Sequence, residues 1–237
     1  MRLLLIGLAV AALRGAEWQS LIHRDSFAGW RSPSGHTPPD GAWTIHHGVL
    51  TVKPFVHRRT DLWSTEEYEN FELIWEWKAA KGANSGVKYW AQNFFTLVVE
   101  IENRKWRQIP DPRSARPEEI TLEYSRGLEY QMADDAHEPD SLQRADSRSG
   151  GLYGMIAPSH ENARPHGEWN KSRLLVDHGR FEHWLNGKRV AAFDLAQLEA
   201  RLAAKRFALK AKKGPLVLQY HQTEVAFRKM RVRRLAD

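Results

Sequence analysis

Short runs in which apolar and polar residues alternate recur along this chain, and turn-forming residues separate them. The run Phe71–Trp77 places its odd-numbered residues, all of them apolar, on one side of a strand, because successive side chains in a strand point to opposite faces. Phe181–Leu185 and Lys188–Ala192 are joined by Asn186-Gly187, a pair that tolerates positive φ and is typical of a β-hairpin. This pattern predicts an all-β fold of antiparallel strands, either a sandwich or a jelly roll.

One helix interrupts the strand pattern near the C-terminus. Leu195, Leu198 and Leu202 recur at helical spacing, and Asp194 is a suitable N-cap for them. We find neither an internal repeat nor a linker in the sequence. Residues 17–237 are therefore predicted to form a single β-sandwich domain with one short peripheral helix.

The N-terminus has the pattern of a secretory signal. Arg2 supplies the positive charge, and Leu3–Leu13 is an apolar stretch of export length that is too short to span a bilayer. We predict that residues 1–16 are a signal peptide, that the mature protein is secreted or periplasmic, and that it has no membrane span. The chain contains no cysteine, which excludes disulfides and thiolate chemistry.

The chain is basic, with a formal net charge of +6. The positive charge is scattered except in Arg228–Arg234, which suits either a polyanion-binding patch or the solvated face of a last strand. We favour the solvated strand and predict no nucleic-acid partner. Segments 103–118 and 135–149 are rich in charged residues and are predicted to be surface loops. The sequence specifies no oligomeric state.

The run Gly127–Asp135 is the most informative for function. Its even-numbered residues from 128 to 132 are apolar and must pack on a core, whereas Glu129 and Gln131 point to the opposite face. Asp134 and Asp135 follow directly. In a basic chain, this polar face suits sugar hydroxyls, a metal ion or an acid–base step.

Several common enzyme signatures are absent from the sequence. It has no Gly-x-Ser-x-Gly elbow, no His-Glu-x-x-His helix, no P-loop and no dinucleotide-binding glycine motif. A pair of glycosidase carboxylates across a cleft would carry no such signature, so this class stays open.

An ordered set of segments resembles the 3-keto-disaccharide hydrolase domain family of exported bacterial proteins. The set consists of Gly82–Tyr89, Gly127–Gln131, Leu152-Tyr153, Gly167–Asn170, Glu182–Gly187 and Leu218–His221. The resemblance extends from about Phe27 to Leu235, and it implies a concanavalin-like antiparallel β-sandwich with one concave, sugar-facing sheet.

The resemblance also implies a chemistry. The substrates would be glycosides oxidised to a ketone at C3, which acidifies the C2 proton. A base would remove that proton, the C1 substituent would leave, and water would add to the unsaturated product. The alternative function is a non-catalytic carbohydrate-binding module of the cell envelope, which the many tryptophans would suit.

Site residues are carried over from the family one position at a time. The resemblance assigns catalysis to Glu129 as base or metal ligand, to Lys88 at the developing oxyanion, and to His221 as base or ligand. It assigns substrate binding to Gln131, Asn84, Tyr153, Trp169 and Gln219. The cofactor stays open, with a divalent metal at Asp134 and Asp135 as the candidate. A solvated strand face or an ordinary loop acid is the competing structural interpretation.

Three departures from the family pattern bear on activity. Gly154 stands where relatives carry the acid of Leu-Tyr-Asp, and Tyr220 where they carry the acid of Leu-Gln-Asp-His-Gly. Glu138 replaces the histidine of the family's His-Pro-Asp, and His137 stands one place earlier. If either missing acid is essential in relatives, this chain is inactive or acts on a different substrate.

Overall fold

A computed structural model describes residues 17–35, 41–100, 105–116, 119–204 and 208–236. The predicted signal peptide, residues 1–16, lies outside these residues. None of the helices in the described ranges has the length and apolar character needed to cross a membrane.

Strands dominate the described residues. The first seven are β1 (Gln19–Ser20), β2 (Trp30–Arg31), β3 (Trp43–His46), β4 (Val49–Val52), β5 (Arg58–Thr60), β6 (Leu62–Tyr68) and β7 (Phe71–Ala79). The others are β8 (Asn84–Glu100), β9 (Lys105–Ile109), β10 (Ile120–Ala133), β11 (Asn170–Asp177), β12 (Arg180–Leu185), β13 (Lys188–Asp194), β14 (Gly214–Leu218) and β15 (Val225–Arg234). The helices are α1 (Pro139–Gln143) and α2 (Leu195–Ala204).

The strands form two sheets that face each other. One sheet has the order β13-β12-β11-β7-β15-β4-β3, with β1 also paired to β15. The other has the order β2-β6-β14-β8-β10-β5, with β9 also paired to β8. The predicted all-β, concanavalin-like sandwich is confirmed. All of the described pairs are antiparallel except β5 with β10, which is parallel.

The core lies between the two sheets and confirms the predicted faces of β7 and β10. Leu128, Tyr130 and Met132 are all fully buried in it. Trp75 of β7 meets Tyr130 edge to face at 4.9 Å between ring centroids, and its indole N–H points at the Met132 sulfur at 3.2 Å. Burial of each such side chain contributes roughly 1.5–3 kcal/mol. Packing on this side turns Glu129 towards the outer face of the sheet.

The predicted hairpin and helix are both present. Asn186 and Gly187 have φ values of 48° and 82° and form the turn between β12 and β13. The Asp194 side chain accepts a hydrogen bond from the Gln197 backbone N–H at 2.8 Å, which caps α2 as expected. The helix buries Leu198 and Leu202.

Two local predictions were wrong, and one strand departs from regular alternation. Segment 135–149 contains the helix α1, so α2 is not the only helix, and segment 103–118 contains the strand β9. Trp90 lies two residues after Lys88, a spacing that puts two side chains on the same face of a regular strand, but Trp90 is buried in the core. Its φ of 48° interrupts the strand geometry, so the alternation of faces does not continue through this residue.

The basic residues of the C-terminal run lie on the solvent-facing side of β15. Arg228 donates to Glu76 at 2.7 Å, and Arg233 donates to Glu72 at 2.6 Å. Both acids lie on the adjacent strand β7, so these two guanidinium charges are balanced within their own sheet. This arrangement agrees with the solvated-strand interpretation.

Candidate active site

A cavity of about 310 Å³ opens on the face of the β10 sheet that is turned away from the core. Its lining residues are Arg59, Asn84, Trp106, Leu122, Tyr124, Glu129, Gln131, Tyr153 and Gln219–Gln222. Six of the ten predicted site residues therefore meet here, namely Glu129, Gln131, Asn84, Tyr153, Gln219 and His221.

Backbone hydrogen bonds bring these residues together from separate segments. In the ladder of β8 and β10, Glu129 lies opposite Lys88. The Tyr153 backbone N–H donates to the Glu129 carbonyl at 2.9 Å, which carries Tyr153 alongside β10. On the other side, the Gln219 backbone N–H donates to the Gly86 carbonyl at 3.0 Å. The sheet itself thus fixes the spacing of the polar groups.

Three buried oxygens in this cavity have no hydrogen-bond partner. They are Oε1 of Glu129, Oε1 of Gln131 and Oε1 of Gln219, and they are the full set of such side-chain atoms found in the described residues. An unpaired buried acceptor is unfavourable by roughly 1–3 kcal/mol. Three of them in one cavity form a set of acceptors suited to the hydroxyl groups of a sugar.

Burial gives Glu129 the character of a base. Removal from water raises its pKa to about 7, although the nearby Lys88 ammonium opposes this shift and the Asp61 carboxylate adds to it. The carboxyl lies directly over Gly86, where a Cβ would overlap it. A glycine at this position therefore lets the carboxyl pack against the neighbouring strand.

Lys88 lies beneath the cavity and does not line it. Its ammonium donates to Asp61 at 3.3 Å and to the Ser125 carbonyl at 3.0 Å, and it stands 3.9 Å from the centre of the Tyr124 ring. Burial favours the neutral amine, but the carboxylates of Asp61 and Glu129 outweigh it and raise the pKa of Lys88. The ammonium is thus a fixed charge that acts through space.

Asp61 is the counterion that holds this charge in place. It is fully buried, and it accepts hydrogen bonds from the backbone N–H groups of Ser125 and Tyr220, both at 2.9 Å. With Lys88 as the third donor, the carboxylate is well satisfied. Asp61 was not among the predicted site residues.

A chain of hydrogen bonds fixes the orientation of Gln131. Glu138 accepts from the Ser141 backbone N–H at 2.7 Å and from the Asn84 amide N–H at 3.2 Å. The Asn84 side-chain oxygen then accepts from the Gln131 amide N–H at 3.2 Å. Because a carboxylate can only accept, the order of donors is set from Glu138 outwards, and the oxygen of Gln131 is left to face the cavity.

Tyr153 and His221 complete the rim. The Tyr153 hydroxyl donates to Asp140 at 2.7 Å, and burial together with this bond raises its pKa. His221 is an exposed residue, open to solvent on one side, and desolvation by the surrounding protein lowers its pKa. The lowered pKa favours the neutral imidazole, in which one nitrogen can donate and the other can accept.

The structure places the other predicted site residues apart from this cavity. Trp169 precedes β11 in the opposite sheet, where the Arg228 guanidinium stacks 3.8 Å from its ring centre. The Asp135 carboxylate accepts from the Ser149 backbone N–H at 2.9 Å and so fixes a turn. Asp134 lies beside His137 and His166 and lines a second cavity. Both acids line this second cavity, but their side chains have different partners.

Tyr124 and Trp106 also line the cavity without having been predicted. Tyr124 and Glu129 are five residues apart, a spacing that puts two side chains on opposite faces of a regular strand. A register shift between Arg126 and Leu128 changes the phase of β10, so that both residues reach the same cavity. Trp106 belongs to β9, in a segment that was predicted to be a loop.

The sequence comparison decides the family. A model of the 3-keto-alpha-glucoside-1,2-lyase-like domain matches residues 17–233. The chain belongs to this family. The predicted resemblance is thereby confirmed, and membership indicates a carbohydrate-active function.

Individual relatives agree with the assignment. The chain is 29% identical over 233 residues to a 3-keto-disaccharide hydrolase of Bacteroides thetaiotaomicron, a match that spans 88% of this chain and 75% of the relative. A proposed glycosyl hydrolase of Parabacteroides distasonis superposes with a TM-score of 0.72 at 26% identity, covering 92% of this chain and 94% of that one. A second structure from the same organism, with a TM-score of 0.62 and 22% identity, covers 92% and 100% and shows the shared fold.

The two positions that lack the acids of the family pattern have different surroundings. The Tyr220 hydroxyl donates to the Lys53 carbonyl at 2.8 Å, and its ring meets Trp43 edge to face, so the side chain is used in packing. Gly154 has a φ of 68°, and a Cβ there would come within 3.5 Å of the Arg144 guanidinium. The cavity described above keeps Glu129 without either acid.

Proposed function

We propose that the chain is an exported enzyme that cleaves 3-keto-glycosides, with Glu129 as the base. The observation that carries the proposal is a buried carboxyl with an unpaired oxygen and a pKa near 7, facing a cavity lined by further acceptors. A general base works best when its pKa is close to the operating pH. The name of the Bacteroides relative supports a 3-keto sugar as substrate.

The first step is removal of the C2 proton. Glu129 takes the proton, and the electron pair of the C2–H bond moves into the adjacent carbonyl to give an enolate with its charge on the C3 oxygen. The Lys88 ammonium, held by Asp61, lies close enough to Glu129 to influence its pKa and stabilises negative charge through space. No oxidant or reductant is needed.

The second step is loss of the C1 substituent and addition of water. The enolate electrons form the C1–C2 double bond and re-form the C3 ketone as the bond from C1 to the leaving oxygen breaks. The imidazole of His221 at the rim can donate a hydrogen bond to this oxygen as it departs. A water molecule gives the leaving oxygen its proton, and the hydroxide that remains adds at C1. The protonated Glu129 carboxyl exchanges with solvent in the open cavity and returns a proton to C2.

The test is cleavage of a 3-keto-disaccharide in deuterium oxide. The proposed route exchanges the C2 hydrogen, so the released 3-keto sugar should carry deuterium at C2 by mass spectrometry and NMR. The ordinary disaccharide is the control, because it lacks the ketone that acidifies C2 and should stay intact. Equal cleavage of the ordinary sugar would rule out this mechanism, because that sugar has no ketone to acidify its C2 proton.

A non-catalytic carbohydrate-binding module is the second candidate. It is favoured by the missing acids at Gly154 and Tyr220, the latter replaced by a side chain that is used in packing. It predicts saturable binding of the sugar in the Glu129 cavity and no product in either solvent. The deuterium experiment, run with a calorimetric titration of the same sugars, separates the two candidates.

Glu138→Gln is expected to reverse the direction of the side-chain hydrogen bonds that link residue 138 through Asn84 to Gln131. The new amide can donate to Asn84, which can then turn over and make Gln131 present its N–H groups to the cavity. Loss of an acceptor for a sugar hydroxyl should raise KM by roughly 2- to 10-fold. The measurement is steady-state kinetics, with the exposed Glu168→Gln as the matched control. An unchanged KM would contradict this role for Glu138.

A further inference from the structure

Asp134, His137 and His166 come close together just after the C-terminal end of β10. All three line the second cavity. One carboxylate oxygen of Asp134 lies 2.9 Å from Nδ1 of His137 and 3.4 Å from Nδ1 of His166. The three ligand atoms all lie within 4.8 Å of one another. The two imidazole rings meet nearly at right angles, with centroids 5.2 Å apart.

The 3.4 Å separation suits a tetrahedral metal ion, whereas His137 makes a hydrogen bond of 2.9 Å with Asp134 and its ring would have to move outwards to share a metal with that oxygen. Two bonds of about 2.0–2.1 Å at a tetrahedral angle hold their ligand atoms about 3.4 Å apart. Two imidazole nitrogens and one carboxylate oxygen match the ligand preferences of zinc and related first-row metals, and they leave a fourth position for water. A calcium or magnesium ion, which prefers oxygen ligands, would not suit this set.

The carboxylate is oriented before any ligand arrives. Asp134 is buried, and its Oδ2 accepts a hydrogen bond from the Gly82 backbone N–H at 2.8 Å. The loop that carries His166 is fixed by the Gly167 backbone N–H, which donates to the Ala79 carbonyl at 2.8 Å. Such outer contacts hold metal ligands in position.

The other charged side chains that line this second cavity of about 270 Å³ have partners of their own. Arg148 pairs with Glu161, and the Arg164 guanidinium donates to the Trp169 carbonyl. Asp135 is bound to Ser149. Asp134 is thus left with the two imidazoles as its side-chain partners in this cluster.

We propose that Asp134, His137 and His166 form a metal site of the zinc class that joins the turn after β10 to the loop before β11. The site uses one of the two acids expected to bind a cation, but with histidines as its other ligands. It does not depend on the reaction proposed for Glu129.

The chain provides a matched control cluster. Asp25, His46 and His47 also have ligand atoms within 4.8 Å of one another, but all three residues are exposed. The Asp25 carboxylate accepts the His47 backbone N–H at 2.6 Å, and the two histidines are neighbours in sequence. This cluster reports how strongly any exposed group of the same composition binds zinc.

The experiment is a calorimetric titration of tag-free, metal-stripped protein with zinc, together with cobalt substitution followed by visible absorption. We expect one tight equivalent of zinc, a rise in Tm on binding, and cobalt bands typical of low coordination. His137→Ala/His166→Ala should weaken zinc binding by at least about 10-fold and abolish the cobalt bands. His46→Ala/His47→Ala should leave both unchanged.

Several results would overturn the proposal. These are the absence of a stoichiometric zinc ion, equal loss of binding in the two double variants, or loss only in the Asp25 cluster. The single variants His137→Gln and His166→Gln are measured as well, so an unfolded double variant does not decide the outcome. Glu129→Gln should bind zinc as the parent protein does, which separates this site from the proposed reaction.

Discussion

Glu129→Gln is expected to lower kcat for a 3-keto-glycoside by about 10²- to 10⁴-fold, the usual contribution of a positioned general base. Glutamine has nearly the same shape, so its side chain can still pack over Gly86. The amide cannot take up the C2 proton, however. The measurement is single-turnover kinetics, which separates the chemical step from product release.

The pH profile identifies the base independently. Glu129 must be ionised to act, and its pKa is about 7, so kcat/KM should rise about tenfold per pH unit below pH 7 and level off above it. Because folding raises this pKa, the stability contributed by protonated Glu129 is fully present below the unfolded pKa and is lost as the pH rises through 7. Glu129→Gln should lack that dependence of stability on pH.

The control for these measurements is Glu168→Gln, at an exposed acid in the loop before β11. It removes the same charge and should change neither kcat nor the pH profile. Retention of full activity by Glu129→Gln would refute its role as the base. A loss of activity that accompanies a loss of folded protein would instead place Glu129 in the structural framework.

The residues on the outer face of β10 could be predicted because their orientation depends only on the alternation of neighbouring residues in the same strand. Leu128, Tyr130 and Met132 alternate with Glu129 and Gln131, and a strand with one buried face leaves no choice about where the other points. Alternation does not extend to Tyr124, because one register shift reverses the phase of the strand between Arg126 and Leu128. An irregularity of this kind has no clear mark in the sequence.

Contacts between distant segments could not be predicted. Asp61 is 27 residues from Lys88 and has no periodic pattern around it, yet it decides where the ammonium points. Lys88 was expected to reach the substrate, but its N–H groups are used beneath the cavity. Trp169 was expected to contact sugar, but the strand after it belongs to the other sheet.

Lys88→Met is expected to destabilise the protein by about 3–5 kcal/mol, because it leaves the buried Asp61 carboxylate without its counterion. Asp61→Asn should have a comparable effect by leaving the Lys88 ammonium unpaired. The double variant removes both charges and should recover much of the loss. Chemical denaturation of all four proteins gives the coupling energy of the pair.

The same variants should move the pKa of Glu129 in opposite directions. Loss of the Lys88 cation removes an effect that lowers this pKa, so the acid limb of the pH–rate profile should shift to higher pH. Loss of the Asp61 anion removes an effect that raises it, so the limb should shift to lower pH. A pair that only stabilised the fold would change the denaturation midpoints and leave both limbs in place. Opposite shifts would therefore show that the buried pair sets the basicity of Glu129, whereas coincident profiles would disprove it.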